Sequence, residues 1–600
     1  MKNKIKFVLD SHGNLIIKEG TVALDDYAFC SKTRIKKIVF PNSMQSIGEY
    51  AFSDCTSLEY VFIPKELKTI GASAFSGCSA LKNIVIDSEN TCFKFVNNCL
   101  IEINTKRLIW GYSKSIVPCD GSVEIIGNGA FESCDITQVE LPSNICVIES
   151  NAFNACAKLE KVFIPENVSK IEDAFTGCGQ IESIVVHEDN KFFYVENQCL
   201  IEKATKTLVL GCKNSKIPND IIKIGNSAFN MCEGIQQVQI PNTVIEIGYD
   251  AFDGCSMLTN VILPNSVKKI GDFCFAYCTS LEKIVVSNQI DSIPKYAFLS
   301  CESLKFIEFD GNIERIEANA FENCNSLQSI SSLAGVAYVG KMAFKSCKLL
   351  KDFQFLDRVI NIDDYAFSNC ESLVELRFQS TVRSIGKGAF GFCVNLEKVY
   401  LNDEIEVIGN GAFRACRKLE SVAIPNSIRI ISKGLFEDCT SLISVNIGAN
   451  VEKISDYAFD SCSRLKNINI PNEVCEIGEK AFNCCLALKE ITLPRNTRII
   501  SKECFYMSGI QSISIPIDVV ALQDESFVGC LSLKQVFLPI SIESIGSRIF
   551  GGCESLFYIN YDGTIDQWSQ IKKEENWDCE MNKYQIICSD GIIRKNKSKK

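Results

Sequence analysis

Histidine is nearly missing. The 600 residues hold two, His12 and His187, and both sit in expected turns, away from any cysteine or carboxylate constellation. Histidine-based nucleophile systems and histidine-rich metal sites are thereby excluded, so the chain reads as no enzyme, with no catalytic residue, metal ligand or cofactor. Positive charge is also short. Lys and Arg number 62 against 73 Asp and Glu, a net −11, so nucleic acid is not an expected partner. No apolar run approaches the ~18 residues needed to span a bilayer, so no membrane insertion is expected. The basic start Met1-Lys2-Asn3-Lys4 lacks the following apolar core of a signal peptide. Its run Ile5 to Leu9 is broken by Lys6 and stopped by Asp10, short of the ~7–15 residues required. By sequence alone the chain reads as cytoplasmic. Proline is sparse, and 13 of the 14 occupy one position of the repeat described next.

What is abundant is repetition. The unit is clearest at Leu258 to Leu281, Leu-x-x-Val-Ile-Leu-Pro-Asn-x-Val-x-x-Ile-Gly-x-x-x-Phe-x-x-Cys-x-x-Leu. Its Phe recurs 21 times from Phe29 to Phe550, and Phe229 to Phe505 is 276 residues, or 12 steps of 23. A fixed period in this range means a solenoid, whose coils bury their apolar sides only against one another. The expected fold is a mainly β repeat solenoid of about 21 coils. Val261 and Leu263 should point inward from one wall while Asn260 and Ile262 point out. Pro264 ends that strand, Val267 and Ile270 form a short segment on the opposite wall, and a bend with Gly or a small polar residue leads to Phe. Ala precedes that Phe in 16 of 21 copies, a small residue beside a ring at one level of the core.

Thirty-two cysteines look like a disulfide framework, but 19 of them fall three residues after the repeat Phe. One per coil at one register makes a column of small buried side chains, read here as reduced structural thiols. Cys484-Cys485, and Cys274 with Cys278, have metal-like spacing, yet each pair includes a column residue. Gly127-Asn128-Gly129 and Gly409-Asn410-Gly411 are repeat bends, not phosphate loops.

Four segments are expected: an N-terminal cap over 1–20, a hairpin around Gly13-Asn14; the solenoid over 21–557; a C-terminal cap over 558–593, with a small helix near Ile565 to Lys573 and a closing strand; and a frayed basic tail over 594–600. Two long repeats carry inserts near 90–112 and 190–212. Each runs from an Asn (Asn90, Asn190) to Cys-Leu-Ile-Glu and a second apolar run, read as a β-hairpin.

These units resemble the BspA-like class of leucine-rich repeats over roughly 21–557, and the inserts are similar to a variant unit of that family. The end, Tyr561-Asp562-Gly563-Thr564…Trp568…Trp577…Cys588-Ser589-Asp590-Gly591, is similar to the terminal module of many bacterial members. The resemblance implies a right-handed, curved solenoid with a parallel sheet on its concave face. It also implies a surface or secreted protein that adheres to matrix proteins or cells, although this chain shows no wall-anchoring motif.

Function is then sought on the outward strand positions. Tyr60, Phe62, Val85, Phe163, Val185, Ile262, Val285 and Phe306 make the first half of that row apolar, while Asn446, Asn469, Thr492 and Ser514 mark a polar second half. An exposed apolar strip points to a protein-binding face, although strand propensity alone also favours such residues. The expected function is non-enzymatic binding of a protein ligand, as an adhesin-like protein or a scaffold. The alternative is architectural self-association through an exposed end.

Overall fold

A computed structural model describes residues 7–330, 335–351 and 358–595. The expectations on the first six residues, on Ser331 and Gln354 of the outward row, and on the last five residues of the basic tail lie outside these. The chain forms two compact units, 1–289 and 290–600, each described by itself. Both are parallel β-solenoids. There are about 25 turns in place of the expected 21, because the two inserts and the two end segments add turns that lack the repeat Phe.

Each coil is pinned to the next at three places. On the first wall Asn260, Val261 and Ile262 pair in parallel with Lys283, Ile284 and Val285. On the second wall Glu246 and Ile247 pair with Lys269 and Ile270. In both ladders the offset is one repeat, so the sequence period is also the hydrogen-bond register. The third place is the segment around Phe, expected to be a simple bend. Tyr50, Phe52 and Asp54 donate their N–H groups to the carbonyls of Ala72, Ala74 and Ser76 in the next coil, at 3.1, 2.9 and 2.8 Å. The residues two before and two after Phe have positive φ, as at Tyr50 (51°) and Asp54 (57°), which lets the N–H groups of Tyr50, Phe52 and Asp54 all face the next coil. The Gly expected directly after the second-wall segment is there, as at Gly48, Gly71 and Gly271, where a Cβ would lie within 2.5 Å of the previous coil's backbone. The positive-φ position two residues before Phe is a different one and takes Tyr50, Phe273 and Tyr365. Left-handed backbone costs ~1–2 kcal/mol per residue, which each inter-coil hydrogen bond offsets.

The rings behind this segment stack face to face. In the second unit Phe298, Phe321, Phe344, Phe367 and Phe390 follow one another at 5.2–5.3 Å between centroids and within 11° of parallel. The column cysteines are free and mostly buried, and their thiols do more than fill space. Cys55 Sγ donates to the Phe29 carbonyl at 3.2 Å, and Cys347 Sγ to that of Phe321 at 3.1 Å. The Phe52 carbonyl thus accepts from the Cys55 N–H of its own coil and from the Cys78 thiol of the next, a pattern that recurs in most coils.

The inserts are more than hairpins. Phe93–Val96, Cys99–Glu102 and Arg107–Trp110 form a three-stranded antiparallel meander, repeated at Phe193–Glu196, Cys199–Glu202 and Thr207–Leu210. The last strand of each joins the second wall in parallel, Leu108 beside Ile126 and Leu208 beside Ile224. At the bend, Gly111 and Gly211 occupy the place of the repeat Phe. Their N–H groups donate to Ala130 and Ala228, as Phe29 donates to Ala51, and Cys134 Sγ points to the Gly111 carbonyl at 3.6 Å. A Cβ on Gly211 would lie 1.9 Å from the Phe229 ring. The insert turn is therefore cut short at this corner, and Ser73 N reaches past it to Asn128 O.

Both ends carry an antiparallel cap. Phe7–Leu9 folds onto Asn14–Ile17, which pairs in parallel with Lys37–Val39. At the other end Thr564 and Gln567 form a capping box on the helix Ile565–Gln570, and Trp568, Trp577 and Tyr584 pack edge to face. The closing strand is a hairpin, Tyr584–Cys588 with Gly591–Lys595. Arg594 and Lys595 are paired in it, which corrects the expected start of the tail.

Asn190 fastens the second insert. Its Nδ2 donates to the carbonyls of Pro165 and Val168 at 2.7 and 3.1 Å, and its Oδ1 accepts from the Phe192 and Phe193 N–H groups at 2.8 Å each. The side chain is buried, so Asn190→Ala leaves several polar groups unpaired and should cost about 2–3 kcal/mol in a denaturant titration. Loss below about 0.5 kcal/mol would mean water replaces it.

Candidate protein-binding face

The outward row of the first wall is built as expected. Val261 and Leu263 are buried at 1% while Ile262 is 67% exposed. Val85, Val185 and Phe306 are also exposed, whereas Tyr60, Phe62, Phe163 and Val285 are half-buried. Neighbouring members meet across strands. Phe62 pairs with Val39 on one side and Val85 on the other. Phe163 pairs with Val185 and has the His187 ring at its edge, 6.4 Å away. Ile262 pairs with Val285, and Lys37 Nζ sits 4.7 Å over the Tyr60 ring.

The row is not one stripe, however. In the first unit the first wall is cut at both inserts, into the sheet ending at Asn83–Ile86, the sheet Gln138–Val186 and the sheet beginning at Asn260–Ile262. The candidates fall into three groups there: Tyr60, Phe62 and Val85; Phe163 and Val185; Ile262 and Val285. Phe306 belongs to the second unit. The cause is the meander, whose strands join the second wall and leave the first wall without a ladder partner at that level.

Sequence reasoning missed a second feature. In the second unit a trough of about 1090 Å³ lies over the polar part of the row. Its floor is made of short side chains such as Ser421, Ala423, Ser444 and Asn446, with Tyr400 at one end and Arg377 3.9 Å over the Tyr400 ring. The run of small outward residues was the available signal, but it reads as merely polar when only hydropathy is weighed.

The chemistry of the thiols is quiet. Burial pushes Cys99 up to about 11 and Cys393 up to about 12, so both stay protonated at neutral pH. Among the described residues no group of three or more His, Cys, Asp or Glu is placed to hold a metal. Among the same residues no helix is long and apolar enough to cross a membrane.

An acidic cluster does form beside the second insert. Tyr249 Oη donates to Asp173 Oδ2 at 2.7 Å across the shortened turn, and Asn230 Nδ2 donates to Asp253 at 3.0 Å. Burial first, then the charges of Asp173 and Asp272, raise Asp250 to about 6; burial and then Asp250 raise Asp253 to about 6. The folded chain thus holds these protons more tightly than the unfolded chain, where carboxyls titrate near 4. Their contribution favours folding as pH falls from 7 and is lost as pH rises through about 6. The difference in melting temperature between wild type and Asp250→Asn/Asp253→Asn should therefore shrink as pH drops from 7.5 to 5, the variant being the more stable at pH 7.5. A difference that is constant with pH would remove the cluster's role.

Fold and wall geometry define a leucine-rich-repeat solenoid. The family pattern "BspA type Leucine rich repeat region (6 copies)" matches residues 7–109, 112–223, 208–328, 337–466 and 452–573. The chain belongs to the BspA-type leucine-rich repeat family. Among solved structures it is similar to a leucine-rich repeat protein from Eubacterium ventriosum, with 21% identity over 69% of this chain and 93% of that one and a TM-score of 0.40. It is also similar to one from Bacteroides ovatus, with 21% identity, 82% and 97% coverage and a TM-score of 0.37. A leucine-rich cell surface protein from Faecalibacterium prausnitzii is 23% identical over 65% of this chain and 100% of that one, with a TM-score of 0.34. No curated protein matches the chain.

Proposed function

We propose that this chain is a non-enzymatic protein-interaction module that takes a protein ligand on the outward face of its first wall, as an adhesin-like binder or a scaffold. Membership of a repeat family whose members are commonly protein-interaction modules supports the general reading. The observation that carries the specific one is the pairing of apolar outward residues on adjacent strands, above all Val39, Phe62 and Val85 side by side and Ile262 at 67% exposure. Water-facing sheets normally place polar residues there. Ligand contact would cover this apolar surface.

A second reading has its own support. The edge strand Phe7–Leu9 exposes all three of its residues, and an apolar edge invites strand addition by another copy. A mass that rises with concentration in light scattering, and falls back in Val8→Lys, would favour that architectural role.

For the main reading, Ile262→Glu alone should change stability by less than about 0.5 kcal/mol, because its side chain leaves little contact behind. The triple variant Phe62→Glu/Phe163→Glu/Ile262→Glu should lose the proteins that wild type captures from extracts of its host's surroundings. Full capture by a folded triple variant would remove the first wall as the binding face.

A further inference from the structure

The second unit carries a notch on the edge formed by the Phe bends, away from the first wall. The residue two before the repeat Phe lines this edge in every coil of this unit and has positive φ, at Tyr365 (57°) and Tyr457 (59°) for instance. Side chains are tolerated there, so glycine is not demanded by the backbone. Yet three consecutive coils place Gly388, Gly411 and Gly434 at it, and Gly391 follows Phe390 where the two adjacent coils have Ser368 and Arg414. The missing side chains leave a cavity of about 290 Å³. Tyr365 lies over Gly388, whose Cβ would come within 2.6 Å of its ring. Over Gly411 the space is open, the nearest atom to a Cβ being Arg414 Cβ at 3.6 Å.

The lining is aromatic and basic. Tyr365 and Phe392 supply rings, and Lys387, Arg414 and Lys433 stand against the single carboxylate of Glu437. Arg414 holds that carboxylate at 3.0 Å, and Lys433 is 3.6 Å from Asp456. Among the described residues no carboxylate lies within ion-pair distance of Lys387 Nζ, which sits 5.7 Å from the Tyr365 ring centroid. The floor offers no anion cradle, because the N–H groups of Gly388, Gly411 and Gly434 donate to Asn410, Lys433 and Asp456 carbonyls. Recognition must therefore come from rings and cationic side chains. The space fits one ring, and its position on an open edge is too shallow to enclose a free small molecule, which normally loses most of its surface to its site.

We propose that this notch is the anchor pocket for an aromatic side chain flanked by acidic residues on a protein partner. The ring packs against Tyr365 and Phe392 over Gly411, and the neighbouring carboxylates meet Lys387 and Lys433. Aromatic anchors in pockets of this kind carry a large share of interface energy. The inference does not rest on the first-wall reading, since none of these residues belongs to that wall.

Saturation-transfer NMR on the full chain tests it with three probes: acetyl-Asp-Tyr-Asp-amide, acetyl-Lys-Tyr-Lys-amide and 4-hydroxyphenylacetate. The acidic peptide's ring should saturate, and its basic counterpart should bind at least about fivefold more weakly. Gly411→Tyr should abolish the signal with unchanged melting, since Tyr already stands at this position two coils away on either side, at Tyr365 and Tyr457. Lys387→Glu, an exposed change that leaves the backbone intact, should reverse the preference between the two peptides. The Phe62→Glu/Phe163→Glu/Ile262→Glu variant should bind as wild type does. Equal response to both peptides, a signal that persists in Gly411→Tyr, or binding of 4-hydroxyphenylacetate without the acidic peptide would each overturn the proposal.

Discussion

No coil of this protein can satisfy its own backbone. The ladder N–H and C=O groups of both walls, and alternate N–H groups of the Phe bend, find their partners one repeat away, in the coil before or after. An unpaired buried backbone group costs about as much as the bond it lost, so every coil must sit in register with its neighbours. That requirement fixes the period, and the period fixes what can occupy the interior. A ring placed at one level recurs at that level, which is why the phenylalanines stack nearly parallel. The thiol three residues on recurs as well, close enough to the previous coil's carbonyl to donate to it. Serine stands in the cysteine column at Ser508, where its hydroxyl lies 3.3 Å from the next coil's Cys530 Sγ.

The same requirement explains how the inserts are accommodated. Extra residues can enter only as structure that restores the ladders on its far side. Each meander does so by delivering one strand to the second wall in the regular register. It cannot deliver another Phe, because the corner has no depth left for one, and glycine takes the place. The consequences reach the surface. The first wall loses its continuity at both inserts, the shortened corner draws Asp173 and Tyr249 together, and the acidic cluster beside it is only partly solvated.

Inward residues made the fold legible. Val261, Leu263, Ile270, Phe275 and Cys278 each repeat their chemistry in coil after coil, so one unit read correctly yields nearly all of them. The hydrogen bonds of the bend were not legible, because Tyr50 and Phe273 at positive φ contradict ordinary residue preference; only the neighbouring coil's carbonyls make the conformation affordable. Nor was the role of Gly111 and Gly211, although Trp110-Gly111 and Leu210-Gly211 stand in the same register of the two inserts. An alignment built on the repeat Phe passes over a turn that lacks it. The candidate face was half legible: hydropathy picked out Ile262 and Val85 as outward and apolar, but the breaks in the wall arise from how the meanders pair.

Outward positions follow a different logic. The register that constrains Val261 leaves Ile262 free, and the regular backbone tolerates Tyr, Ser, Asp, Lys or Gly alike two residues before Phe. Departures from the repeat at such positions therefore carry information that the fold does not require. A trough floored by Ser421, Ala423 and Ser444, and three successive glycines between Tyr365 and Tyr457, add nothing to the packing of the core. They remove side chains that neighbouring coils keep, and a solenoid gives up surface contacts of this kind without losing register. The shape they leave is a property of the exterior alone, which is where a molecule with so uniform an interior must hold its specificity.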